Sequence, residues 1–130
     1  RWVFDGGYAD SIPLERALEE GNKQIVVVRT RPSGQKVEQD ALDWLASYWY
    51  RDNEALARLF EVGHERYNAV VDRLLTGGDG EAAWCEIAPL APLESTGYRV
   101  TADNLRADYR HGLEVALDWL VAQGWNWRPQ

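Results

Sequence analysis

The segment that most constrains the fold is a short apolar run, Trp2-Val3-Phe4, that breaks into Asp5-Gly6-Gly7. An apolar run that ends in a tight polar turn is typical of a buried strand. Two glycines permit positive φ and close backbone approach, so we expect the Asp5 carboxylate to face a cleft. Catalytic acids of α/β enzymes often lie at the end of such a strand. The same tripeptide also suits an ordinary Asp-Gly turn.

A helix and a second strand are predicted directly after this turn. Pro13 suits the first position of a short helix, and Gly21 suits its end. Residues 24–29 form a continuous run rich in β-branched side chains, the pattern of a strand buried on both faces. Two strands joined by a helix make a βαβ unit, so the sequence predicts a parallel pair in an α/β sheet.

The rest of the chain is predicted to be mainly helical. Apolar residues recur at helical spacing after residue 38, with Asp52 or Asn53 as the cap of a long helix and Thr101 as the cap of a last one. Residues 82–88 are expected to add one short edge strand. We therefore divide the chain into a sheet portion, residues 1–34, and a helical region, residues 35–130.

The first thirty residues resemble the C-terminal catalytic block of the patatin-like phospholipases, a family of serine acyl hydrolases. Asp5-Gly6-Gly7, Ser11-Ile12-Pro13, a helix, Gly21 and a strand with Val26-Val27-Val28 follow one another as they do in that family. Later segments are similar to one bacterial branch of the family. These are residues 43–51, His64-Glu65-Arg66-Tyr67-Asn68, Ile87-Ala88-Pro89 and residues 107–112.

This resemblance implies the C-terminal portion of a patatin-like α/β sheet and a serine–aspartate dyad. Asp5 would be the catalytic aspartate that accepts the serine proton directly, and Gly6 and Gly7 would keep the turn narrow. No histidine, metal or cofactor is implied. The implied substrates are the ester bonds of phospholipids, other lipids or small esters.

The nucleophile of such a dyad is missing from this sequence. The family's serine lies in a Gly-x-Ser-x-Gly elbow, and none of Ser11, Ser33, Ser47 and Ser95 has glycines at both positions. A glycine-rich oxyanion loop is also missing. We therefore expect a C-terminal piece of a longer hydrolase, inactive by itself; the alternative is a non-catalytic interaction or lid module of a degenerate hydrolase.

The composition of the chain limits the classes of partner that it is expected to bind. A net charge of −7 argues against nucleic acid and against a general attraction to anionic membranes. The single cysteine, Cys85, excludes an internal disulfide and suits a reducing compartment such as the cytoplasm. Peripheral contact with a membrane is left open. The apolar residues 2–4 and 25–28 are expected to expose sheet edge, which favours self-association of the chain.

Other residues that could bind a metal or take part in catalysis do not have the spacing of a known kind of site. His64 and His111 have no helical ligand partner four residues away, so no metal site is expected. Four arginines recur every seven or eight residues and form one stripe on the long predicted helix. The stripe would meet lipid headgroups or an acidic partner, or form a solvated, salt-bridged face. Its members are Arg51, Arg58, Arg66 and Arg73.

Overall fold

The computed structural model describes residues 6–95 and 100–124. In this part the chain forms a mixed α/β structure with four α-helices, two strands and one 3-10 turn. The elements, in chain order, are the 3-10 turn Gly6–Tyr8, α1 Leu14–Glu19, β1 Gln24–Val28, α2 Ala41–Trp49, α3 Glu54–Leu74, β2 Ala83–Ile87 and α4 Ala102–Ala122. The mixed α/β class predicted from the sequence is confirmed.

The helix ends follow the local signals in the sequence. Asn53, rather than Asp52, caps α3, because its side-chain oxygen accepts a hydrogen bond of 3.2 Å from the amide of Leu56. Thr101 and Asn104 form a reciprocal capping box at the start of α4. Pro13 lies at the N-cap of α1, one residue before its predicted position.

The two strands pair in parallel. The amide of Ala83 donates to the carbonyl of Lys23 and the amide of Arg29 donates to the carbonyl of Ile87, each at 2.9 Å. The parallel neighbour of β1 in the described residues is therefore β2, the strand predicted for residues 82–88. The run at residues 2–4, predicted to be its parallel partner, lies outside the described residues.

β1 is not buried on both faces, and that expectation is wrong for the described chain. Val26 and Val28 lie on one face, where they are 49% and 76% exposed. Parallel strands become buried when helices cover both faces of their sheet. In the part of the chain that the structure describes, the face that bears these two valines is only partly covered.

Two compact units divide the described residues. The first contains residues 6–25 and 34–84, and its core consists of six apolar side chains that are at most 8% exposed. These are Ile12, Leu14, Phe60, Val71, Leu74 and Trp84. The core therefore joins the segment after the 3-10 turn to α3 and to the start of β2. The proposed division of the chain at residue 34 stays a prediction.

The second unit contains residues 26–33, 85–95 and 100–124. An ion pair lies inside it, with Arg29 Nη1 3.0 Å from Glu86 Oε2 and the two side chains 3% and 13% exposed. The last helix predicted to begin after Thr101 is present as α4, but it has no buried residue. Five members of one helix face are exposed: Leu105, Tyr109, Leu113, Leu117 and Val121.

Candidate active site

The turn that follows Asp5 is well ordered by hydrogen bonds, whereas Asp5 itself lies outside the described residues. The amides of Ala9 and Asp10 both donate to the carbonyl of Gly6 at 2.9 Å. The hydroxyl of Ser11 donates to the carbonyl of Gly7 at 2.5 Å. Both glycine carbonyls are therefore held by the next few residues, which defines the path of the chain directly after Asp5.

The glycines of this turn do not use the left-handed conformation that their sequence permits. Gly6 and Gly7 belong to a 3-10 turn, in which φ is negative. A Cβ atom on Gly6 would meet nothing within 4 Å, so the space beside this residue is open in the described structure.

Two buried side chains anchor the loop that follows. Ile12 is 8% exposed and Leu14 is 1% exposed, and both belong to the core of the first unit. The ring of Tyr8 packs edge-on against Phe60 of α3, with the ring centroids 5.2 Å apart. Residues 6–14 are thus held along α3 at several points, and hydrophobic burial makes these points costly to break.

A groove of about 480 Å³ lies between this loop and α3, and we call it the α3 groove. All of its lining belongs to the first unit. The loop contributes Tyr8, Ala9, Asp10, Ser11, Ile12 and Glu15, and the helix contributes Gly63, Arg66, Tyr67, Ala69, Val70 and Arg73. The groove therefore begins at the turn that directly follows the candidate catalytic aspartate.

The structure divides the arginine stripe into residues with different partners. Arg73 forms ion pairs with Glu15 and with Asp79, which lies 3.3 Å away. Arg51 precedes α3, and its guanidinium lies 4.6 Å from the centroid of the Tyr48 ring. Arg66 lines the groove, where its Nη1 lies 3.5 Å from the carbonyl oxygen of Ala9. The stripe is not one uniform face.

Asp79 is engaged by the tight turn that ends the α3 segment. Its carboxylate accepts hydrogen bonds from the amides of Ala82 and Glu81, and Arg73 lies beside it. Hydrogen bonds from the amides of Ala82 and Glu81 are the largest effects that lower the pKa of Asp79 from its ordinary value of 3.8. Desolvation opposes them, and the nearby Arg73 charge adds a smaller lowering effect. Asp79 is therefore a structural carboxylate.

The histidines do not form a catalytic arrangement with a described carboxylate at the groove. His111 Nε2 accepts a hydrogen bond of 3.1 Å from the amide of Leu90, in the second unit. His64 lies in α3, and its buried Nδ1 has no hydrogen-bond partner among the residues that the structure describes. Cys85 is a half-buried thiol on β2. Within residues 6–95 and 100–124, no group of three or more potential ligands comes together around a metal-sized site.

A serine–aspartate contact that the sequence did not indicate joins Ser95 and Asp108 in the second unit. Asp108 accepts bonds of 2.8 Å from the amides of Glu94 and Ser95, and one from the Ser95 hydroxyl. The Ser95 hydroxyl leads the effects that lower the pKa of Asp108, which makes its carboxylate a weaker base. The pair therefore tethers residues 94–95 to α4. Ser95 and Asp108 lie thirteen positions apart, and no pattern in the sequence indicates that they are in contact.

Comparisons with known proteins give one informative match. The chain is 30% identical over 123 residues to uncharacterized protein YjjU of Escherichia coli (strain K12). The match covers 93% of this chain and 34% of that protein, so the chain spans about a third of the relative's length. No family model matches the chain, and no solved structure does. In the described ranges, no helix is both long and apolar enough to cross a bilayer.

Proposed function

We propose that this chain is the C-terminal part of a patatin-like lipid acyl hydrolase, in which Asp5 is the base of a serine–aspartate dyad. The observation that carries the proposal is the anchored turn that directly follows Asp5 in the sequence. Ser11 holds the Gly7 carbonyl, and Ile12 and Leu14 are buried in the core. Such support suits a catalytic carboxylate, which must be held close to its productive geometry.

The order of elements after the turn also supports this proposal. The short helix α1 and the β-branched strand β1 follow in the order that the resemblance requires. β1 pairs in parallel, as strands of an α/β hydrolase sheet do. The match to a protein about three times as long is compatible with a nucleophile supplied by another part of the full-length protein.

The proposed chemistry needs only the serine and the aspartate. The Asp5 carboxylate takes the serine proton while the serine oxygen bonds to the ester carbonyl carbon. Collapse of the tetrahedral intermediate breaks the ester bond, and the proton passes from Asp5 to the leaving alcohol. Water then attacks the acyl-enzyme, Asp5 takes a proton from that water, and the serine regains a proton as the acid leaves.

The test is turnover of p-nitrophenyl butyrate, an ester without a headgroup, by the full-length protein. Asp5→Asn keeps the shape but removes the proton acceptor, so kcat should fall by at least ~10²-fold. Asp118→Asn, an exposed substitution of the same kind on α4, is the matched control and should leave kcat unchanged. His64→Ala and His111→Ala should keep kcat within a few-fold. Loss of turnover in a histidine variant but not in Asp5→Asn would contradict the dyad.

A second candidate function is a non-catalytic interaction or lid module, and exposed apolar surface favours it. α2 presents Leu42, Trp44, Tyr48 and Trp49 to solvent in the described structure. Exposed apolar patches of this kind mark surfaces that contact another protein, a lipid or the rest of the chain. A full-length protein that lacks a Gly-x-Ser-x-Gly elbow would favour this second function over the first.

A further inference from the structure

Arg66 is the arginine of the α3 groove whose guanidinium is available to a ligand. Arg73, seven residues further along the helix, is engaged by Glu15 and Asp79. Among the described residues, the hydrogen bond that Arg66 makes is to the Ala9 carbonyl, at 3.5 Å, which is the outer limit of a hydrogen bond. None of its nitrogens lies within 4.0 Å of a carboxylate oxygen in the described residues. Most of its five N–H donors therefore face the groove or solvent.

Asp10 supplies an unpaired negative charge to the same groove. Its backbone amide donates to the Gly6 carbonyl at 2.9 Å, which fixes the residue in the turn. Its carboxylate makes no ion pair with a described residue, and Arg66 is not within 4.0 Å of it. Glu15, the other carboxylate of the groove, is already paired with Arg73. Within the described residues that line the groove, Arg66 is thus an available cation and Asp10 an available anion.

The remaining lining provides room and aromatic surface. Gly63 lies on the groove side of α3, and a Cβ atom built on it would meet nothing within 4 Å. Tyr8 and Tyr67 are the aromatic residues among those that line the groove. Aromatic rings attract ammonium groups, and quaternary ammonium ligands in particular, through their electron-rich faces.

We propose that the α3 groove binds a zwitterionic headgroup, a phosphate ester that carries an ammonium group, such as phosphocholine or phosphoethanolamine. Arg66 binds the phosphate oxygens, for which a guanidinium is well suited. Asp10 and the tyrosine rings bind the ammonium group. A purely anionic headgroup would satisfy Arg66 but would be repelled by Asp10, so charge complementarity selects the zwitterion.

This inference rests on the proposed function for the lipid origin of the headgroup, because the groove begins directly after Asp5. The ligand chemistry itself is shared by lipid headgroups and by free phosphodiesters. Glycerophosphocholine is therefore the probe of choice, because it carries the headgroup but no acyl ester that could be hydrolysed. Glycerophosphoglycerol, which has the phosphodiester but no ammonium group, is the matched comparison.

The binding experiment titrates both probes into the full-length protein at low ionic strength, with calorimetry or protein NMR as the readout. The wild type should bind glycerophosphocholine about fivefold more tightly than glycerophosphoglycerol, the scale of one exposed charge pair. Asp10→Asn should remove most of this preference, and the tyrosine rings would account for the remainder. Arg66→Gln should weaken binding of glycerophosphocholine by about tenfold, since charge-assisted hydrogen bonds are lost.

Arg58→Gln is the control, because Arg58 lies on the same helix, is exposed and does not line the groove. It should leave both dissociation constants unchanged. Arg66→Lys keeps the charge but loses the planar donor set, so it should weaken binding of glycerophosphocholine by about threefold. It replaces Arg66→Gln as the test if that variant fails to fold. Equal wild-type affinity for the two probes would overturn the proposal, as would equal losses in Arg58→Gln and Arg66→Gln.

A kinetic comparison separates a lipid headgroup from a free phosphodiester. The ratio of kcat/KM for phosphatidylcholine to that for phosphatidylglycerol in mixed micelles should fall by about fivefold in Asp10→Asn if the headgroup belongs to a lipid substrate. Turnover of p-nitrophenyl butyrate with no discrimination between the probes would overturn the headgroup site and leave the hydrolase intact. Preferential binding of glycerophosphocholine without any ester turnover would support the headgroup site and contradict the proposed hydrolase function.

Discussion

The indole nitrogen of Trp84 donates a hydrogen bond of 3.0 Å to the backbone carbonyl of Arg73, and the guanidinium carbon of Arg73 lies 5.3 Å from the centroid of a Trp84 ring. The two residues therefore contact each other through both the main chain and the side chain. Arg73 lies in the last turn of α3 and Trp84 in β2, so this relationship joins the end of the helix to the strand.

Trp84→Phe tests this junction. The substitution removes the N–H donor and leaves a small cavity at a side chain that is 4% exposed. We expect the free energy of unfolding to fall by about 2–3 kcal/mol. Urea denaturation followed by circular dichroism measures the change. Trp49→Phe, at a side chain that is 75% exposed, should change it by less than about 0.5 kcal/mol, and equal effects would contradict the junction.

Glu86→Ala tests the buried ion pair of the second unit. The change removes the carboxylate that lies 3.0 Å from the Arg29 guanidinium, whose side chain is 3% exposed. Because the buried guanidinium then loses this carboxylate, the free energy of unfolding should fall by about 3 kcal/mol. Asp72→Ala, which breaks the exposed pair with Lys36, should lower it by less than about 1 kcal/mol.

The double variant Arg29→Met with Glu86→Leu distinguishes the effect of an unbalanced buried charge from that of lost side-chain packing. Replacing both charges by apolar side chains leaves no buried charge behind. The double variant should therefore be more stable than Glu86→Ala. A double variant that is less stable than the single one would mean that the charges themselves are not the reason for the loss.

Acid sensitivity should trace in part to Asp79. Since its pKa lies below 3.8 in the folded chain, its contribution to stability is present above that pH and is lost as the pH falls through the folded pKa. Asp79→Asn removes this titration, so the stability of the variant should fall less steeply than that of the wild type below about pH 4. Unfolding curves recorded between about pH 2 and 6 measure the two slopes. Asp118→Asn should keep the wild-type slope, and an unchanged slope in Asp79→Asn would argue against this origin.

The 130-residue chain should self-associate through the face of β1 that bears the exposed Val26 and Val28. Val28, which is 76% exposed, is the most accessible apolar residue of that strand. Val28→Lys places a charge there and should shift the chain toward monomer in sedimentation velocity. Leu90→Lys removes an apolar side chain that lies outside β1 and is 82% exposed. This control should leave the association state unchanged. A wild-type chain that is monomeric at tens of micromolar would contradict the prediction.

Local chemistry alone determined most of the secondary structure. Asn53 and Thr101 begin their helices because their side chains satisfy the first free amides, which is an interaction over three residues. The β-branched residues from 24 to 28 form a strand for an equally local reason, the restricted χ1 of their side chains. The proposal that Asp5 is catalytic also comes from sequence, and it stays a prediction.

Only the tertiary structure decided what these elements contact. Periodicity placed Arg66 and Arg73 on one stripe, but the fold brings Glu15 and Asp79 to Arg73 and leaves Arg66 in a groove with Asp10. It likewise pairs β1 with β2 and leaves the apolar face of α4 exposed in the described chain. Helix and strand formation depends on neighbours a few residues away, whereas ion pairs, strand partners and burial depend on residues about sixty positions apart.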